Sequence, residues 1–418
     1  MQIKDIKMKQ IFNEFASNID TYIMFKIKEK TAQLSEELTK KGRKPISLSI
    51  GAPTAHPPKF LLDKMKMALD EEGMHTYSNP KGEKYLLEAI KTRMKERFNV
   101  NIDITEICSL LGSKEGIANL LRGIISPNND EKEQDIILVP DPSYASYCDM
   151  IKVSGGKHYS VPLTKENNYM PDMEVILEQL EKDGYNKNKV KALIINYPNN
   201  PLGTSCTKEY LKKVVDFCKK NEILLISDAA YSEIYFDESN KPFSALEIEG
   251  AKDITVEFHS FSKPYSMTGW RIGWICGNKD IISQFAKLKS TIDSGIFKCI
   301  QKASSEILNS KEGNDYILQS NKEIQEKSNY FSNALKNELN WEIDNIPKTT
   351  FYLWLPIPKR YSSSAEFCDE LLTKSGVVMV PGDAFGKYGK GYVRVSLVCK
   401  LEDLKEVIKR MKEDGFKY

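Results

Sequence analysis

A chain of 418 residues with 41% apolar and 28% charged side chains is long enough for two or three structural units and ordinary for a globular protein. Its net charge of +2, with no isolated basic block, argues against nucleic acid and anionic membrane as partners. Eight dispersed cysteines without a CxxC pair, and only four histidines, argue against a disulfide framework or a metal site. The N-terminal stretch MQIKDIKMKQIFNEF lacks the apolar core of a signal peptide, and no apolar run reaches membrane-spanning length. The expected location is the cytoplasm.

From about residue 105 to 300, short apolar runs alternate with amphipathic helical patterns. The runs are DIILV (135–139), KALIIN (191–196), EILLIS (222–227), ITVEFHS (254–260) and IGWICG (272–277). Apolar on both sides, they read as strands buried in a mostly parallel sheet. Residues 207–221 put Leu211, Val214, Val215 and Cys218 on one helical face, and 279–290 repeats that pattern. The alternation predicts an α/β fold with three αβα layers. Beyond 300 the texture changes. Residues 301–339 read as one long helix, 349–356, 377–382 and 392–398 as strands, and 401–413 as a closing helix. This stretch, with residues 1–50, predicts a smaller α+β domain (1–50 and 310–418) beside a large domain over 51–309. Residues 127–134 and 181–189 read as surface loops.

Ligands of open parallel sheets bind beyond the carboxyl ends of the strands. Several such ends carry chemistry here. Tyr144 follows the first run, Asn200 the second, Asp228 and Tyr231 the third, and Lys263 the fourth. Asp228 suits either a helix cap or a buried carboxylate beside a cationic ring. GSKEGIANLL (112–121) reads as a glycine turn opening a helix. Its free N–H groups suit a phosphate, and a plain helix start fits equally. Only eight of the 60 basic residues are arginines, so each guanidinium is a candidate for bidentate anion binding. Arg394 alternates with Val393, Val395 and Leu397, which places it on the opposite strand face with Ser396.

The segment HSFSKPYSMTGWRIGW (259–274) places Ser260, Ser262 and Lys263 ahead of Arg271. Ser-x-Ser-Lys followed by Gly-x-Arg-x-Gly resembles the fold-type I, pyridoxal 5'-phosphate-dependent aminotransferases of class I/II. The resemblance runs from SLSIGAP to GYVRVSL. It implies that Lys263 is the Schiff-base lysine and proton shuttle, and that Asp228 faces the pyridine nitrogen. Tyr231 and Asn200 match the donors to the cofactor's phenolic oxygen, and Tyr144 the ring that stacks on the pyridine. Ser113, Lys114, Ser260, Ser262 and Arg271 match the phosphate contacts. Arg394 matches the arginine that pairs with the substrate α-carboxylate, and Gly51 a glycine lining the substrate pocket. Tyr77 matches a tyrosine that reaches the phosphate from a neighbouring subunit, which implies a homodimer with shared sites. The family often has cis peptides at Asp141–Pro142 and Asn200–Pro201.

Three positions depart from the pattern: Leu87 for a common Arg, Leu202 for the usual Thr, and Pro264 after the lysine. The implied reaction moves an amino group between an amino acid and a 2-oxo acid such as 2-oxoglutarate, by a ping-pong cycle. A C–S lyase or decarboxylase on the same scaffold is the alternative. A ligand-sensing regulator would need a DNA-binding domain, for which about 45 residues before SLSIGAP are too few. The stretches LKSTIDSGIFKCIQKA and TTFYLWLP resemble the group of diaminopimelate, N-succinyldiaminopimelate and aspartate aminotransferases. There Asp293 falls where relatives place pocket residues from the neighbouring subunit, acidic enough to face a distal ammonium or to hydrogen-bond a distal amide; a helix-end Asp without ligand contact also fits.

Overall fold

The computed structural model describes residues 11–418 apart from 18, 20 and 22. Among the described residues eight strands precede residue 280: β1 (Ile46–Ser47), β2 (Ile107–Leu110), β3 (Ile136–Asp141), β4 (Lys157–Pro162), β5 (Val190–Ile195), β6 (Leu224–Asp228), β7 (Thr255–Ser260) and β8 (Gly273–Gly277). Seven of them form one sheet in the order β2-β8-β7-β6-β5-β3-β4. Strands β3 to β7 are parallel, and β8 runs antiparallel to both β7 and β2. The chain steps outward from β3 to β4, then crosses back to β5 on the other side of β3. That reversal opens a crevice at the carboxyl ends of the strands.

Alternation along the strands sends neighbouring residues to opposite faces. Leu138 and Leu193 join one apolar cluster, while Ile137 and Ile194 join another. The helix Lys208–Lys220 covers the first face with Leu211, Val214, Val215 and Cys218, as its spacing predicts. The helix Ser113–Ile124 covers the second with Ile117, Leu120 and Leu121. Each fully buried side chain of this size contributes roughly 1.5–3 kcal/mol, so the two faces together fix the sheet that aims the strand ends.

The later strands are β9 (Tyr352–Pro356), β10 (Val377–Val378), β11 (Val380–Pro381) and β12 (Tyr392–Ser396). They form a three-stranded antiparallel sheet, β11-β12-β9, while β10 pairs in parallel with β1. Leu48 therefore shares a core with Leu353, Val393, Val395, Leu404 and Val407. The closing helix is Leu401–Glu413.

Several expectations need correction. Strands β2 and β4, the two edges of the large sheet, were not among the apolar runs. The single long helix is two, Lys298–Leu308 and Lys311–Leu339, because the Ser310 hydroxyl accepts from the Gly313 N–H and starts a new one. The run 377–382 divides into β10 and β11. The expected loop 181–189 contains the end of the helix Met173–Lys182 and a short turn at Lys187–Lys189. We propose the division 51–309 against 1–50 plus 310–418 as the domain boundary; the helix break at Asn309–Ser310 and the β1–β10 pairing support it. Among the described residues no helix is long and apolar enough to cross a membrane, and no cluster of His, Cys, Asp and Glu could hold a metal.

Candidate active site

The crevice holds a cavity of about 280 Å³. Asp228 ends β6, and Lys263 follows β7. Asn200 and Tyr144 come from the turns after β5 and β3, Gly51 from the segment after β1, and Arg394 from β12. Both sheets thus contribute. The Asp141–Pro142, Tyr197–Pro198 and Asn200–Pro201 bonds beside it are cis. A larger groove of about 680 Å³ lies elsewhere, but its Lys165 and Lys208 are held in ion pairs with Asp344 and Glu247.

The Lys263 ammonium donates to the Gly51 carbonyl at 2.6 Å and lies 5.6 Å from the Tyr231 ring centre. Burial, helped by the Arg394 and Arg271 charges and opposed by Asp228, pulls its pKa from 10.5 to about 8. About a tenth of the amine is then free at pH 7, far more than for an ordinary lysine, which suits an acid–base group. Asp228 is buried and accepts from the Tyr147 hydroxyl at 2.6 Å and the Ala230 N–H at 3.3 Å. Burial pushes its carboxyl above the ordinary range, against the pull of Tyr147, Ala230, Lys263 and His259. A buried carboxylate left short of positive charge favours a cationic ligand placed against it.

Arg394 is 4% exposed, its guanidinium 4.5 Å from the Tyr352 ring centre and 4.7 Å from that of Phe385. It donates to the Asn200 side-chain oxygen at 2.9 Å and to the Ser49 carbonyl at 2.8 Å, while its Nε has no partner. Asn200 in turn donates its backbone N–H to Asn196, whose amide donates to the Asp228 carbonyl at 2.8 Å. Across the cavity, the Tyr231 and Tyr352 hydroxyls are 2.9 Å apart. Burial and the neighbouring Tyr352 raise the Tyr231 phenol, so it stays a donor.

The far end of the cavity is a cup of anion-binding groups. Ser113 opens its helix behind Gly112, whose φ of +89° favours glycine. A Cβ at Gly112 would meet the Arg271 guanidinium at 2.5 Å, so the turn needs glycine to pass beneath it. Arg271 donates to the Leu111 and Thr268 carbonyls, and Lys114 lies 5.9 Å from the Tyr144 ring centre. The Ser260 and Ser262 hydroxyls line the same end, with the Ser262 N–H donating to Ser260 Oγ. Hydroxyls, a guanidinium and a helix N-terminus together suit a phosphate dianion.

Two expected residues lie outside the cavity of their own chain. Tyr77 is 86% exposed. Asp293 is held by Lys289, both oxygens at 2.7 Å, and accepts from the Gly295 N–H. Leu87 and Leu202 are buried among apolar neighbours, and Pro264 leaves Lys263 in the cavity. Among the lining residues that escaped the sequence are Tyr147, Asn196 and Tyr352. Tyr147 sits one helical turn past Tyr144, and Asn196 closes the run 191–196. Tyr352 shares the β9 face of Trp354, which pairs with Arg394.

A phosphorylated pyridine aldehyde finds a partner for each of its parts here: a cup for the phosphate, a carboxyl for a protonated ring nitrogen, and a low-pKa amine for the aldehyde. Such a site, at the carboxyl ends of such a sheet, marks the pyridoxal-phosphate-dependent enzymes of fold type I. Among them the chain belongs to the class I and II aminotransferases, whose family model matches residues 43–411. It is 37% identical over 402 residues to an LL-diaminopimelate aminotransferase of Halothermothrix orenii, covering 96% of this chain and 98% of that one. It is 39% identical over 378 residues to the enzyme of that name from Aquifex aeolicus, covering 90% and 93%. A solved structure of substrate-bound BacF from Bacillus subtilis superposes with a TM-score of 0.89 at 31% identity, covering 97% and 98%. An aspartate aminotransferase double mutant of Thermus thermophilus shares the fold, with a TM-score of 0.86 at 23% identity over 96% and 99%.

Proposed function

We propose that this aminotransferase takes LL-diaminopimelate as amino donor and a 2-oxo acid such as 2-oxoglutarate as acceptor. One observation carries the donor: eight curated relatives, 36–39% identical over 90–97% of this chain, share that specificity in their names. Bound pyridoxal phosphate supplies the carbonyl carbon that receives the nitrogen and the ring that accepts the Cα electron pair. Lys263 Nζ, as free amine, would take the proton from the donor's Cα and deliver it to the cofactor's carbonyl-derived carbon. Asp228 holds the proton on the ring nitrogen, and Tyr144 covers the ring. Tyr231 and Asn200 donate to the phenolic oxygen. Ser113, Lys114, Ser260, Ser262 and Arg271 bind the phosphate, and Arg394 the donor's α-carboxylate beside Gly51. What supports these roles is convergence on one cavity of side chains from five strand ends and the smaller sheet.

We further propose a homodimer in which Tyr77 serves the neighbouring site and Asp293 faces the donor's distal ammonium. The 86% exposure of Tyr77 supports the first. For the second, Asp293 would share its carboxylate with Lys289. Sedimentation of the loaded protein tests the dimer, which a fully active monomer would contradict. Eight free thiols support a cytoplasmic setting, where thiols stay reduced.

A donor panel with 2-oxoglutarate, read as glutamate formed, tests the substrate. LL-diaminopimelate is expected to exceed aspartate in kcat/KM by about tenfold or more, the discrimination a satisfied polar contact provides. Asp293→Ala is expected to raise KM for the long donor alone. Turnover of aspartate with none of diaminopimelate would overturn the assignment.

A further inference from the structure

Behind the cavity lies a carboxylate that the proposed reaction does not use. Glu257, on β7, is fully buried. Its Oε1 accepts from the Ser244 hydroxyl at 2.6 Å and from His259 Nε2 at 2.8 Å. Its Oε2 accepts from the Ser227 hydroxyl at 2.9 Å and the Ala245 N–H at 2.8 Å. Four donors nearly saturate an ionised carboxylate, which offers about four lone-pair sites. Burial opposes the charge, but His259, Ser244 and Ala245 outweigh it and hold the carboxyl below its ordinary range.

The donors' places in the chain give the cluster its meaning. Ser227 immediately precedes Asp228, and it stands opposite Glu257 in the β6–β7 register. His259 immediately precedes Ser260, in the segment that leads to Lys263. The imidazole stacks on Trp274 of β8, with centroids 4.7 Å apart and planes 8° apart, so the ring cannot turn freely. One side chain thereby fastens the end of the carboxylate strand, the end of the lysine strand and the 244–245 turn. Packing alone does not call for a charge here, since apolar residues of similar volume commonly replace a buried ionic group without loss of stability.

We propose that Glu257 is a positioning residue: through Ser227 and His259 it fixes the spacing and orientation of Asp228 relative to Lys263. The inference rests on the roles proposed above for those two residues. Glu257 touches neither the cavity nor a reacting atom, so it acts only through its neighbours.

The test uses pyridoxal-phosphate-loaded Glu257→Gln, which keeps shape and removes one acceptor, and Ser227→Ala, which cuts only the tie to the Asp228 strand. Two readouts are compared with wild type: kcat against KM for LL-diaminopimelate with 2-oxoglutarate, and the visible circular dichroism of the bound cofactor. In Glu257→Gln, kcat is expected to fall about tenfold or more with KM within about twofold, because small displacements of reacting groups cost rate before binding. The dichroism band is expected to change in amplitude. Ser227→Ala should show a smaller change of the same kind, and it decides the matter if Glu257→Gln does not fold. The dichroism needs only bound cofactor, so a wrong donor assignment leaves that comparison standing. Wild-type kinetics and dichroism in both variants, with only a lowered melting temperature, would reduce Glu257 to a structural role and overturn the proposal.

Discussion

Replacing Lys263 by alanine is expected to lower turnover by about 10⁴-fold or more, because it removes the amine assigned both to the cofactor and to the α-proton. Lys263→Arg should be nearly as inactive. It keeps the charge, but a guanidinium does not deprotonate in proteins, so it cannot take a proton. Comparison of the two separates charge from proton transfer. In both, equilibrium dialysis should still find bound cofactor, since the cup around Ser113, Ser260, Ser262 and Arg271 is untouched. The physical basis is the pKa of about 8, set by burial and by Arg394. Steady-state activity above about a tenth of wild type in Lys263→Ala would remove Lys263 from the proton path, since acid–base groups typically contribute 10²-fold or more.

Arg394→Ala is expected to have the next largest effect, on binding of the amino acid. Its guanidinium is buried between two aromatic rings and, among the described residues, forms no ion pair with a carboxylate. Its cost of burial is met by Asn200, Ser49 and ring faces, which leaves charge to be matched by a substrate carboxylate. Removing one partner of such a pair costs roughly 2–5 kcal/mol. The expected fall in kcat/KM is therefore about 30- to several-thousand-fold, for every amino donor alike. Arg394→Lys should recover only part, because an ammonium cannot form the paired bonds of a guanidinium. A loss confined to the long donor would place Arg394 at the distal end instead.

The interior of the large sheet was legible because strands buried on both faces are apolar throughout. Its two edges were not. KHYSVP in β4 carries mostly half-buried residues, and ICSL in β2 is too short to announce a strand. The helix break at Ser310 was written as a capping serine inside an otherwise continuous pattern. At the site, residues at strand ends could be read, since Asp228 directly follows an apolar run and Lys263, Asn200 and Tyr144 lie in the turns just after theirs. Arg394 could be placed by alternation against Val393 and Val395. The second layer was harder. Tyr147 looks like any helical tyrosine until the β6 carboxylate is set against it, and Tyr352 acquires its partners only when the two sheets meet. Glu257 likewise means little without the β6–β7 register. Tyr77 and Asp293 lie outside the cavity of their own chain, so the roles proposed for them find no partner within it.

Borohydride reduction of the loaded protein, followed by peptide mapping, shows which lysine holds the cofactor. Among the described lysines, Lys263 alone follows β7 into the cavity, and Lys114 lines it from the start of the helix Ser113–Ile124. One stoichiometric phosphopyridoxyl label is expected, on the peptide containing Lys263, accompanied by loss of activity. A label on any other lysine, or a reduced protein that remains active, would contradict it.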